Sequence, residues 1–149
     1  MPKLAENRKA LFDYELLKKF EAGILLRGFE VKAIQKGLLN LRGSYISARN
    51  NELFLVGASI SPYQPKNTPK DYNQERPRKL LLKKKEIDYL TGKIAEKGLT
   101  LIPISVYTKG HLIKLEFALC RSQKKFEKRE KIKERDFKRT KERIMKEQR

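Results

Sequence analysis

Side chains able to make or break bonds are scarce in these 149 residues: there is one histidine, His111, and one cysteine, Cys120. Nine positions at about 3.3 Å each set them roughly 30 Å apart on an extended chain, too far for a nucleophile and its base within one subunit. His111 lies between two strand-like runs and reads as a surface polar residue in a turn. Cys120, at a strand end, reads as a small buried or half-buried side chain. One His and one Cys cannot supply the three or four N or S ligands of a usual zinc site, and no acidic pair has calcium-loop or zinc-protease spacing. A glycine-rich phosphate loop is missing too, Arg42-Gly43-Ser44 being too short to form one. Neither an enzyme, a metal nor a cofactor is expected.

The abundant chemistry is cationic. Lys and Arg number 36 against 18 Asp and Glu, for a net charge of +18 and a pI near 10.1. Residues 121–149 alone hold 14 basic and 6 acidic groups, net +8, with only Phe126, Ile132, Phe137, Ile144 and Met145 as large apolar residues. On a helix at about 100° per residue, Phe126, Phe137 and Ile144 fall within about 20° of one another. That stripe is far narrower than the roughly 100° a helix needs to pack on its own domain. The segment therefore reads as a tail, disordered when free and helical against a partner. Residues 1–120 remain at net +10, so polyanions are the expected partners, with nucleic acid or the ribosome ahead of a membrane surface. The chain has no apolar run near the roughly 18 residues of a membrane span, no apolar signal core in Met1–Arg8, and a single cysteine, which points to a cytoplasmic protein.

The elements that must position these charges are mostly strands. Residues 7–26 mix period two (Ala10, Phe12, Tyr14, Leu16) with helical spacing (Leu16, Leu17, Phe20, Ile24), and Gly23 and Gly28 favour the strand reading. Phe29–Lys36 reads as a short helix closed by Gly37. Ser44–Ala48 and Glu52–Ile60 flank Asn50-Asn51 as a hairpin. Four of the six prolines lie between Ser61 and Arg78, which reads as a long mobile loop. Lys83–Lys97 is the clearest helix, with Ile87, Leu90 and Ile94 on one face and Gly98 behind it. Thr100–Tyr107 and Leu112–Leu119 form a second hairpin, Ile113, Leu115, Phe117 and Leu119 facing one way and Lys114 and Glu116 the other. A small closed or nearly closed antiparallel β-barrel, with helices beside it, leaves the fewest open edges for such strands. The expected organisation is a barrel over residues 1–120 and a basic tail over 121–149.

Six ordered blocks carry a resemblance: Asn7-Arg8-Lys9-Ala10, Phe20-Glu21-Ala22-Gly23-Ile24, Glu30-Val31-Lys32, Asn40-Leu41 with Ser44-Tyr45, Arg78-Lys79-Leu80-Leu81-Leu82, and Lys128-Arg129-Glu130 with Lys133-Glu134-Arg135-Asp136. In this order, from about Asn7 to the C-terminus, the chain resembles the SsrA-binding (SmpB) family. The resemblance implies a mainly β, OB-like barrel with two to three flanking helices. It further implies an RNA-binding adaptor of trans-translation, acting as a monomer without a membrane. Such an adaptor binds the tRNA-like domain of transfer-messenger RNA (tmRNA), meets elongation factor Tu through that RNA, and places its tail in the decoding centre and empty mRNA channel of a stalled ribosome.

By the same resemblance Asn7, Glu21 and Leu81 fall on the tmRNA-binding surface; Arg78 and Lys79, beside Leu81, read from their charge as residues that position the RNA backbone. An Asn amide can donate and accept at base edges or 2′-hydroxyls, and an exposed Leu can pack on an unstacked base. Taken without the resemblance, Glu21 reads as a structural ion-pair residue and Leu81 as core. In the tail, Lys124, Lys128, Arg129, Lys131, Lys133 and Arg135 would meet ribosomal RNA phosphates, and Ile144, Met145 and Lys146 match a late tail motif. Ser122-Gln123-Lys124 stands where the family commonly has Gly-Lys-Lys, and Glu127 where it has Asp. The alternative expectation is a ribosomal or ribosome-assembly protein whose basic extension threads through rRNA.

Overall fold

The computed structural model describes residues 3–122 and, in the tail, Arg135 and residues 138–140. In chain order it runs β1 (Lys3–Glu6), α1 (Arg8–Asp13), β2 (Tyr14–Ile24), α2 (Gly28–Gln35), β3 (Leu39–Asn40), β4 (Tyr45–Arg49), β5 (Glu52–Val56), β6 (Ser59–Ile60), a 3₁₀ turn at Pro65–Asn67, β7 (Arg78–Leu81), α3 (Lys84–Ile94), β8 (Leu99–Lys109) and β9 (Leu112–Ser122). Six strands pair antiparallel in a ring that closes on itself: β8 with β4, β4 with β5, β5 with β7, β7 with β2, β2 with β9, and β9 with β8. β1 adds to β8 outside the ring, and β3 and β6 form a separate two-stranded pair. The barrel expected from the strand pattern is thus what the pairings make.

Turn chemistry explains several boundaries. Asn50 and Asn51 both adopt positive φ, 50° and 60°, as the two-residue turn joining β4 and β5 demands. The strand expected to run from Glu52 to Ile60 breaks at Gly57, whose φ of +82° suits no branched residue, and Ser59–Ile60 leaves the barrel to pair with Leu39–Asn40.

Bulges decide which residues face inward. In β8 the register shifts between Pro103 and Ser105, so Leu101 and Val106 share the inner core although their numbers differ in parity. In β2 the shift between Leu16 and Lys18 sends Tyr14 and Leu16 outward but Phe20, Ala22 and Ile24 inward. The inner core also takes Leu53, Leu55, Leu80, Leu115 and Phe117, with Ala33 and Ile34 from α2 and Leu90 from α3. A second, outer cluster joins Ala10 of α1 to Ile102, Ile104, Ala118 and Cys120. β9 was expected to bury one side only; α1 covers its outer face as well.

Two further expectations change. Residues 8–13 are helical rather than strand, because Asn7 caps them, its Oδ1 accepting from the Ala10 N–H. The proline-rich segment is tied down. Glu30 of α2 is fully buried and accepts from the Arg27 N–H at 3.0 Å, from Arg78 Nε and Nη2 at 3.0 and 2.6 Å, and from Arg76. The Tyr72 hydroxyl stands 2.9 Å from Glu30 and 3.1 Å from the Ile60 carbonyl. Burial alone would raise the Glu30 pKa, but the bonds from the Arg27 N–H, Arg76 and Arg78 outweigh it and hold the carboxyl below its ordinary range.

Candidate nucleic-acid interface

Strand alternation places the site. Leu80 of β7 points into the core, so Lys79 and Leu81 point out; Ala22 and Ile24 of β2 point in, so Glu21 and Gly23 face the same exterior. Gly23 pairs with Leu81 on one side and Lys114 of β9 on the other. Three strands thereby bring Glu21, Lys79, Leu81 and Lys114 into one open depression of about 490 Å³, with Asn51, Glu52 and Lys83 also on its wall. Of the five body residues expected on the RNA surface, three meet here.

Glu21 is held as an anion. Its carboxylate accepts from the Tyr107 hydroxyl and lies 3.4 Å from Lys109 Nζ. The Tyr107 bond lowers its pKa most; partial desolvation opposes that, and the Lys109 charge favours the anion further. Reciprocally, burial first and the Glu21 bond second push the Tyr107 phenol well above its usual range. The carboxylate keeps lone pairs for an amino group or a 2′-hydroxyl, since an ionised carboxylate accepts at about four sites. Without the resemblance Glu21 read as an ion-pair residue, and it is one, in an exposed position. Leu81 read as core without the resemblance, yet half its surface is open, at 51%. Lys79 pairs with Glu52 at 2.9 Å, both partly exposed, a contact worth little against a phosphate.

The other two body residues have different work. Arg78 is fully buried: besides Glu30 it donates to the Ala58 carbonyl at 2.8 Å and the Gln74 carbonyl at 2.9 Å. Its guanidinium cannot reach a phosphate as expected, because it faces the opposite side of β7 from Leu81. Asn7 is 5% exposed, and its Nδ2 is spent on the carbonyls of Pro103 at 3.0 Å and Leu41 at 3.3 Å. Its amide is not available to base edges, and it lies outside the depression, near Lys9 and Arg42.

In the tail, Arg135 is helical and exposed. Lys124, Lys128, Arg129, Lys131, Lys133, Ile144, Met145 and Lys146 lie outside the described residues. His111 is exposed in the β8–β9 turn, and Cys120 is buried, its thiol pushed up to about 11 chiefly by desolvation, the opposite of a reactive thiolate. Among the described residues no group of three His, Cys, Asp or Glu side chains could hold a metal, and no helix is long and apolar enough to cross a membrane. Lys114 and Tyr107 were missed as site residues. The outward phase of Lys114 was visible in its strand, but its neighbours come from β2 and β7, which no local pattern reveals.

Comparison with known proteins gives a consistent answer. The model of the SmpB protein family matches residues 4–147. The chain is 46% identical over 144 residues to the SsrA-binding protein of Cupriavidus necator, covering 96% of this chain and 95% of that one. It is 50% identical over 135 residues to the SsrA-binding protein of Carboxydothermus hydrogenoformans, covering 89% of each. A solved chain described under "tmRNA-SmpB: a journey to the center of the bacterial ribosome" superposes with a TM-score of 0.67 at 40% identity, over 81% of this chain and 85% of that chain.

Proposed function

The chain belongs to the SmpB protein family, and on that footing we propose that it is an RNA-binding adaptor that carries tmRNA to stalled ribosomes in trans-translation. The observation that carries the assignment of the surface is the convergence of Glu21, Lys79 and Leu81 in one depression on the outer face of β7, β2 and β9. Lys79 and Lys114 supply charge for the RNA backbone, Glu21 accepts from a base amino group or a 2′-hydroxyl, and Leu81 packs on a base or sugar. Asn7 and Arg78 act through the fold, by fixing α1 and β7. The tRNA-like domain of tmRNA is the ligand of the barrel, and elongation factor Tu is met through that RNA.

The basic tail carries the second activity. Lys124, Lys128, Arg129, Lys131, Lys133 and Arg135 meet ribosomal RNA phosphates, and Ile144, Met145 and Lys146 seat the far end in the decoding centre and empty mRNA channel. The protein works in the cytoplasm as a monomer and performs no covalent chemistry: catalysis lies with its partners. The test is the RNA that co-purifies with the intact protein at moderate salt. Enrichment of tmRNA over its cellular share is expected, and recovery of bulk rRNA alone would overturn the proposal.

A further inference from the structure

Leu81 is a ridge between two recesses. On one side is the depression of Glu21 and Lys79; on the other a second recess of about 360 Å³ is lined by Leu25, Leu26, Val31, His111, Leu112 and Ile113. Gly23, Leu81 and Lys114 border both. The second recess is apolar in an unusual way: Leu25 is 55% and Leu112 61% exposed, beside Leu81 at 51%. Three large aliphatic side chains therefore converge in water around one notch.

Gly23 shapes that notch. A Cβ there would stand 3.4 Å from both Cβ and Cδ1 of Leu81, so a larger residue would fill the gap that glycine leaves between the recesses. We propose that this second recess seats one unstacked nucleobase of the bound RNA, its faces against Leu81, Leu112 and Leu25 and its edge towards His111 and Lys114. The inference rests on the reading of the Glu21 face as an RNA surface and says how that surface holds a base. Single-stranded loops of RNA are recognised by splaying out a base onto side-chain surface, and a flat apolar body with a polar edge matches an apolar notch with an imidazole and an ammonium at its rim. The patch is continuous with the candidate RNA surface. Ten residues line it, well short of the roughly 20–30 that a partner protein covers on each side of a standard interface.

The test uses the full chain with the transcribed tRNA-like domain of tmRNA, by filter binding across a salt series. Leu25→Ser with Leu112→Ser should weaken binding about ten-fold, at the low end of what losing a base stacked on an aromatic side chain costs because aliphatic side chains pack without stacking, with the slope of log affinity on log salt unchanged because no phosphate contact is removed. Both residues are exposed, so the unfolding midpoint should stay in place; should the pair disturb folding, Leu112→Ser alone, at the start of β9, carries the test with about half the effect on a logarithmic scale. Binding within about two-fold of the parent, while Glu21→Ala and Leu81→Ala still weaken it, would overturn the inference and leave the recess to a protein partner. Weakening with a flattened salt slope would overturn it as well, since the effect would then be electrostatic. If Glu21→Ala and Leu81→Ala also bind normally, the RNA surface itself is misplaced.

Discussion

Replacing Asn7 with Ala should cost the protein stability before it costs any RNA contact. Its side chain makes three bonds: Oδ1 accepts from the Ala10 N–H at 3.4 Å, and Nδ2 donates to Leu41 and Pro103 carbonyls 34 and 96 positions away in sequence. Loss of an N-cap costs about 1 kcal/mol. Taking the Asn7 Nδ2 donor from the buried Pro103 carbonyl costs about 1–2 kcal/mol more, whereas the Leu41 carbonyl retains the Ser44 N–H at 3.0 Å. The total, about 2–3 kcal/mol, is a loss of roughly 30- to 150-fold in the folding equilibrium constant. Urea unfolding should show the midpoint falling with m unchanged. Asn7→Ser restores an oxygen acceptor for the cap but no donor to Pro103, and should recover about 1 kcal/mol. RNA affinity, measured well below the lowered midpoint, should stay near that of the parent. A variant with parental stability but sharply weaker RNA binding would refute the reasoning and return Asn7 to the RNA surface.

Other outcomes follow from the same geometry. Because the folded pKa of Glu30 lies below its ordinary 4.5, its stabilisation is complete above about pH 4.5 and is lost as pH falls through the folded value; Glu30→Gln should be destabilised at neutral pH and narrow its gap to the parent on acidification, whereas parallel urea midpoints from pH 7 to about pH 3 would contradict it. Lys79→Ala should flatten the salt dependence of RNA binding by about 0.7–0.9 in log-log slope, while Glu52→Gln, which frees Lys79 from its 2.9 Å partner, should not; identical slopes for Lys79→Ala and the parent would remove Lys79 from the RNA surface. Truncation after Ser122 should preserve binding of the tRNA-like domain and abolish tagging on stalled ribosomes; loss of both by a folded truncation would refute the division between barrel and tail.

The strand alternation, the Asn-Asn turn and the glycines after α2 and α3 were legible because each depends on neighbours in sequence. What escaped depended on partners far away. Residues 8–13 carry a period-two pattern, yet Asn7, pinned to Pro103, starts a helix there, and Ala10 finds its apolar contacts on β8 and β9. Arg78 looked like an RNA contact because its charge is read locally, whereas its burial is set by Glu30, 48 positions earlier. Leu81 shows the converse: its type suggests core, but the phase fixed by Leu80 turns it to the exterior. The bulges in β2 and β8 shift the phase by one residue without any signature in composition, so the inward sets of both strands could be assigned only after pairing was known.

The register of β9 has a mechanical consequence for whatever follows it. Tyr14 pairs with Ser122 and Leu99 with Arg121, so the last described residues of the barrel are clamped from both sides and the tail starts from a fixed mooring. A stretch of 27 residues, the span from Gln123 to Arg149, covers about 40 Å if wound into helix at 1.5 Å per residue and at most about 97 Å if drawn out. A helical tail would measure distance as a rod does. On the proposed function, an RNA-bound barrel would set, by its own docking position, which point of a ribosomal channel the tail could touch, and lengthening or shortening the segment after Ser122 would retune that reach without altering a contact of the barrel.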